Sequence, residues 1–101
     1  MAPEVIDFDH FGPKADVFSY GILVWEMYAE DMPFTDNNNK ILRADLIKEA
    51  IKSEKRPTFY YSIDNNLRNL ITACWSHLPS SRIDFLEVRR RMIDLNILYV
   101  I

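Results

Sequence analysis

The stretch Ala15-Asp16-Val17-Phe18-Ser19-Tyr20-Gly21-Ile22-Leu23-Val24-Trp25-Glu26-Met27-Tyr28 decides the fold. From Val17 to Tyr28 its only clearly polar side chains are Ser19 and Glu26. Apolar side chains therefore point in nearly every direction, and a helix of that kind belongs inside a protein with other elements packed on all its sides. Val, Phe, Tyr, Ile and Trp also favour strands. Length decides against a strand, because the run matches an average helix and is about twice an average strand. Pro13, just ahead, suits a first helical turn, where the missing N–H costs nothing. Asp16 and Glu26 interrupt a run already too short to span a bilayer. The stretch reads as a buried central helix that ends near Glu30, because Asp31, Pro33 and Asn37-Asn38-Asn39 do not continue it.

Toward the N-terminus, Met1–Ile6 reads as one or two helical turns with Pro3 in the first, followed by a turn over Asp7–Pro13. On the other side, one of the three asparagines is expected to cap a helix over Lys40–Ser53. Its buried face is Leu42, Leu46, Ile47, Ala50 and Ile51, with Asp45/Lys48 and Glu49/Lys52 as opposite charges three apart on the wet side. Arg56-Pro57 stops that helix. Thr58–Asn66 is a loop whose aromatics, Phe59, Tyr60 and Tyr61, are expected to be sheltered. A further helix over Asn66–Ser76 carries Leu67, Leu70, Ile71, Cys74 and Trp75 on one face. Pro79-Ser80-Ser81 turns the chain. Asp84 and Glu87 form a capping box, with Ile83 stapled onto Val88, and start a last helix from Phe85 to about Leu95. The tail Ile97–Ile101 is apolar and β-prone. The expected fold is all-α, about five helices around one buried central helix, without an internal repeat.

Composition narrows the function classes. Hydrophobic residues make up 49% of the 101 residues and charged residues 27%, an ordinary globular balance. A net charge of −3 supplies no field to recruit nucleic acid. Arg89-Arg90-Arg91 reads as the solvated face of a short helix, and Met1-Ala2-Pro3-Glu4 is not the start of a signal peptide. The single Cys74 gives no disulfide framework and fits a reducing compartment. On an apolar helical face, with no His in a recognisable motif beside it, it reads as packing and not as a nucleophile. His10 and His77 have no Cys or His at ligand spacing, so no metal is expected. Two glycines, nine residues apart, cannot form a phosphate-cradling loop.

Four short motifs, in order, resemble the end of a protein kinase catalytic domain. Ala2-Pro3-Glu4 resembles the Ala-Pro-Glu that closes an activation segment. Asp16-Val17-Phe18-Ser19-Tyr20-Gly21 resembles the start of the long buried helix of the C-lobe. Arg56-Pro57 resembles the Arg-Pro between the two following helices, and Cys74-Trp75 with Pro79, Arg82 and Phe85 the signature near the end of that lobe. Asp-Val-Phe-Ser and Cys-Trp point to the tyrosine-kinase-like group, and Lys55–Phe59 with Phe85–Val88 to its Raf-like and integrin-linked types. Two positions depart from the pattern: Ile83 stands where relatives usually carry proline, and Leu78 where an acidic residue often precedes the proline.

The resemblance implies a partial kinase domain over residues 1–101, roughly the last third, running from the Ala-Pro-Glu motif to the C-terminal helix, with residues 96–101 as an apolar tail the family does not explain. It implies a buried ion pair between Glu4 and Arg82, and architectural positions at Ala2, Pro3, Asp16, Trp25 and Trp75. In the family Asp16 accepts from the backbone of a catalytic loop. That loop, the Gly-rich loop, the strand lysine and the Asp-Phe-Gly motif do not occur in this sequence. No catalytic, cofactor-binding or metal-binding residue is therefore expected in the chain, and ATP and Mg are expected only for an intact parent domain. The parent activity implied is phosphorylation of protein Ser/Thr, less so Tyr. The rival reading is a stand-alone helical interaction module. For either, the implied partner is a protein, the rest of the kinase domain or one docking on Leu42, Leu46 and Ile47, and neither nucleic acid nor membrane is expected. An intracellular, cytoplasmic setting follows. With no upstream elements in the chain, one side of the central helix is expected to face water, with Phe18, Ile22 and Trp25 among the residues lining it.

Overall fold

A computed structural model describes residues 1–8, 10–35, 40–59 and 63–95. Five α-helices follow in order: α1 (Pro3–Phe8), α2 (Pro13–Ala29), α3 (Ala44–Lys52), α4 (Asn65–Cys74) and α5 (Phe85–Asp94). A 3-10 turn at Pro79–Ser81 leads into α5. The fold is all-helical, and the described residues contain one isolated antiparallel bridge, Thr35 to Ile41.

Helix α2 opens on Pro13 and ends where Glu30 turns left-handed (φ 52°), its N–H donating to the Glu26 carbonyl at 2.8 Å. It stands between two cores. On one side Phe18 and Trp25 pack with Ala2 and Val5, Ile51 of α3, and Ile71 and Trp75 of the α4 region. On the other, Val17 packs with Leu70 and Cys74 of α4 and with Val88 and Met92 of α5. The α2–α4 crossing is close because Gly21 has no side chain: a Cβ there would lie 2.7 Å from the Cβ of Cys74.

The water-facing side of α2 is not the expected one. Phe18 and Trp25 are buried and Ile22 is partly buried against the first core, whereas Leu23 and Met27 are exposed. The cause is chemical as well as steric. The indole N–H of Trp25 donates to the Thr58 carbonyl at 3.1 Å, so the 55–59 segment roofs that face, and Phe59 lies against Trp75 with ring centroids 5.7 Å apart. Tyr60 and Tyr61 lie outside the described residues.

Helix α3 begins four residues later than expected. The Thr35–Ile41 bridge and the Leu42 N–H to Phe34 carbonyl bond (3.0 Å) keep the chain extended up to Arg43, which takes the N-cap place without a side-chain cap. The asparagines proposed as its cap lie outside the described residues. Its buried face is narrower too: Ile51 is buried and Ile47 packs at the edge of the first core, but Leu46 is 44% exposed. Its charges find other partners, Asp45 with Arg43 and Lys52 with Asp7 of α1.

Helices α4 and α5 are capped by aspartates. Asp64 accepts from the N–H of Asn66, and Asp84 from that of Glu87 at 2.9 Å. The return half of the expected capping box is diverted, since the Glu87 carboxylate takes hydrogen bonds from Arg90 (2.6 Å) and Arg91 (2.8 Å). The apolar tail, residues 96–101, lies outside the described residues.

Candidate functional site

Five residues from the two ends of the sequence, Glu4, Lys14, Ser76, His77 and Arg82, meet in one buried knot. The Arg82 side chain has no solvent exposure, and that of Glu4 is 11% exposed. Arg82 donates from Nη1 to Glu4 Oε2 at 2.7 Å and from Nη2 to Glu4 Oε1 at 3.1 Å. This is the fork-to-fork geometry that makes an arginine–carboxylate pair directional. The rest of the guanidinium is also used. Nε donates to the Ser76 carbonyl (2.9 Å), Nη1 to that of Lys14 (2.8 Å) and Nη2 to that of His77 (3.0 Å). The ammonium of Lys14 in turn donates to the Arg82 carbonyl. Burial pushes the Glu4 carboxyl up, but hydrogen bonds and the positive charge from Arg82 outweigh it, so the group sits below its ordinary value.

The local structure explains why these atoms converge. Pro3 starts α1 with Ala2 and Pro3 buried, which aims Glu4 inward from the first turn. The 3-10 turn after α4 leaves Arg82 extended at its C-cap, between two segments whose carbonyls are free to accept. Asp16 is exposed in the first turn of α2 and takes no part in the knot. Trp25 and Trp75 are both buried in the first core.

Arg56 is a member of this region that its sequence position marks only as a helix stop. Its Nε donates to the Trp75 carbonyl (3.0 Å) and its Nη1 to the carbonyls of Ile51 (3.3 Å) and Lys55 (2.9 Å). Its guanidinium carbon lies 4.8 Å from the Phe18 ring centroid, and that of Arg82 lies 5.0 Å from the same centroid. Burial, then the nearby charge of Arg82, lowers the Arg56 pKa, with Glu54 opposing. The Arg-Pro spacing marks the position; nothing local announces that both arginines share one ring.

The three residues expected to form a docking face are divided. Leu42 and Leu46 line an open groove of about 480 Å³ between the end of α2, the 31–35 segment, α3 and the 55–58 segment, whereas Ile47 packs toward the core. Burial pushes the Cys74 thiol up to about 12, against the opposing charges of Arg91 and Arg82, which leaves it a poor nucleophile. Among the described residues no group of three His, Cys, Asp or Glu could hold a metal ion. No helix is long and apolar enough to cross a membrane among the described residues.

An all-helical unit whose Ala-Pro-Glu turn is tied by a buried carboxylate–guanidinium fork to an arginine ahead of the last helix is the helical C-lobe subdomain of the protein kinase-like fold. The sequence profile for "protein tyrosine and serine/threonine kinase" matches residues 1–92, and the chain belongs to that family. It is 36% identical over 96 residues to the dual specificity protein kinase shkD of Dictyostelium discoideum, covering 94% of this chain and 12% of that protein. Over 95 residues it is 34% identical to human mitogen-activated protein kinase kinase kinase 7, covering 94% of this chain and 15% of that protein. A probable serine/threonine-protein kinase of Dictyostelium discoideum is 33% identical over 94 residues, 7% of its length. The chain thus spans a small part of the relatives it matches.

Proposed function

We propose that the chain is the C-terminal part of a kinase catalytic domain whose intact form transfers the γ-phosphate of ATP to Ser or Thr of a protein, with Tyr the less favoured assignment, in the cytoplasm. The observation that carries this reading is the Glu4–Arg82 knot, because it fixes an Ala-Pro-Glu turn in the place where an activation segment would end. Serine/threonine and dual-specificity names among the relatives support the choice of acceptor. ATP and magnesium belong to the intact domain in this reading. The residues present here supply binding surface and architecture, and the chain by itself neither binds nucleotide nor transfers phosphate. Its partner is a protein, the remainder of the domain or one docking on α3, and the acidic balance speaks against nucleic acid or membrane. Calorimetric titration of the purified chain with magnesium-ATP is expected to give no saturable heat. Micromolar binding would overturn the proposal.

A second reading, a stand-alone interaction module, is favoured by one observation: Leu46 is exposed on the wall of a formed groove and not buried in a core. An in-frame His-Arg-Asp and Asp-Phe-Gly upstream of Met1 in the coding sequence would decide for the first reading.

A further inference from the structure

Neither the fold nor the family accounts for the apolar tail. The chain continues past Leu95 with Asn96 and then Ile97-Leu98-Tyr99-Val100-Ile101, a run of aliphatic side chains and one aromatic ring without a charge. Such a run gains free energy from any apolar surface within its reach. Its point of departure is fixed. The Leu95 N–H closes α5 on the carbonyls of Arg91 (3.1 Å) and Met92 (3.2 Å), and the Leu95 side chain packs at the edge of the second core. The residue after a helix cap commonly turns left-handed and reverses the chain, and Asn, the type at position 96, accepts that conformation more readily than most.

An apolar stripe begins beside that exit. Helix α5 packs on the second core through Val88 and Met92, which leaves Leu86 and Ile93 to solvent, 77% and 50% exposed. Two turns apart, they share one face of the helix, separated by about 10 Å along its axis. The charges on one flank are matched within the helix: Arg90 holds Glu87 (2.6 Å) and Asp94 (3.4 Å), and Arg91 holds Glu87 (2.8 Å). Arg89 is exposed on the other flank, where an arginine lays its methylenes on apolar surface and keeps its guanidinium in water. Reach completes the match. A chain reversed after Leu95 brings residue 97 level with Ile93, and the four residues beyond it, at about 3.3 Å each, cover the distance back to Leu86. We propose that residues 97–101 fold back along α5 and seat on Leu86 and Ile93, so that the occupant of this face is the chain's own tail. The tether holds the tail at an effective concentration of about millimolar, ahead of a second copy at micromolar concentration. The outer face of α5 is then closed to other proteins until the tail is displaced.

Two measurements on the whole chain test this. In the first, Leu86→Cys/Ile101→Cys and Met27→Cys/Ile101→Cys are oxidised mildly, the second pair probing the exposed apolar side of α2. The buried Cys74 stays out of the exchange. The Leu86 pair is expected to close within one chain roughly tenfold faster than the Met27 pair. In the second, carboxypeptidase Y trims the tail and mass spectrometry follows the loss of residues 97–101. A docked end is cut only when it opens, so trimming of the parent should be roughly tenfold or more slower than trimming of Leu86→Glu/Ile93→Glu. Both substituted positions are exposed, and the melting curve of that variant should stay cooperative. Equal trimming rates overturn the proposal. Closure of the Met27 pair at the rate of the Leu86 pair or faster would seat the tail on α2 or nowhere, and overturns it as well. Disulfides that join two chains, with a dimer in sedimentation, would make a second copy's tail the occupant and overturn it too.

Discussion

Replacing Arg82 by alanine removes five hydrogen bonds at once: two to Glu4 and one each to the carbonyls of Lys14, Ser76 and His77. Breaking a buried pair from one side typically costs about 3–5 kcal/mol, because the abandoned charge stays desolvated. Each stranded carbonyl adds about 1–3 kcal/mol unless water reaches it. A chain of this size has only about 5–15 kcal/mol of stability in total, so Arg82→Ala is expected to leave little or no folded protein. Milder variants make the reasoning measurable. Glu4 retains some solvent contact, so Glu4→Gln should sit at the low end, about 2 kcal/mol. Arg82→Lys keeps the charge and loses the fork, and should cost about 2–3 kcal/mol. Either change lowers the melting temperature by roughly 10 °C for a domain this small. In a urea-denaturation cycle the double variant should be more stable than the sum of the singles implies, by at least about 1 kcal/mol. Coupling under about 0.5 kcal/mol would mean that the fork does not act as a pair. The pH dependence follows with a definite sign. The folded-state pKa of Glu4 is depressed, so its contribution is present above the ordinary value of 4.5 and is lost as pH falls through the lower folded value. Glu87, held down to about 2 chiefly by its hydrogen bonds from Arg90 and Arg91, titrates on the same acid limb. The readout is therefore the difference between parent and Glu4→Gln, whose acid limb should be the flatter.

Gly21→Ala places a Cβ 2.7 Å from that of Cys74 and should force α2 and α4 apart; a cost of about 1–3 kcal/mol is expected in chemical denaturation, and a neutral result would refute the close approach. Glu30→Gly relieves a left-handed residue at the end of α2 and should stabilise by about 0.5–1 kcal/mol, read as a melting temperature a few degrees higher. Cys74 should resist a disulfide exchange reagent at pH 8 in the native chain and react within seconds in urea, because burial holds the thiol protonated; rapid native labelling would mean that the second core opens.

What was legible in the sequence divides by range. The ends of α2 are local chemistry, with Pro13 supplying the start and Asp31 and Pro33 the stop, and they were readable to within a residue or two. Its exposed face was not, because a helix apolar all round holds no instruction about which side its neighbours will take. The roof over Trp25 is made by residues more than thirty positions away. The start of α3 failed for a similar reason. Three asparagines look like a cap, while the bridge between Thr35 and Ile41 that keeps Ile41 and Leu42 extended is a pairing invisible to propensity. Leu46 then reads as core from its spacing alone, although the helix begins later and turns it toward the groove. Glu4 and Arg82 are 78 positions apart. No periodicity connects them, and only the motif order of a known family put them side by side.

The two arginines around Phe18 show why those motifs travel together. Two guanidiniums near one ring repel each other, and the Arg56 pKa is lowered first by burial and then by the charge of Arg82. The arrangement holds because each cation is matched separately. Arg56 is surrounded by the carbonyls of Ile51, Lys55 and Trp75, Arg82 by three other carbonyls and a carboxylate, and the ring presents its negative face to both. Five of those six carbonyls belong to the C-terminal ends of α3 and α4 and to the turns that follow, where backbone acceptors have no helical partner, and the sixth, that of Lys14, lies in the first turn of α2. The arginines thus satisfy helix ends that the core would otherwise bury unpaired, and the Glu4 carboxylate balances the charge that this requires. An Arg-Pro after α3, a Cys-Trp at the end of α4, an arginine before α5 and an Ala-Pro-Glu at the front are therefore parts of a single electrostatic closure around Phe18.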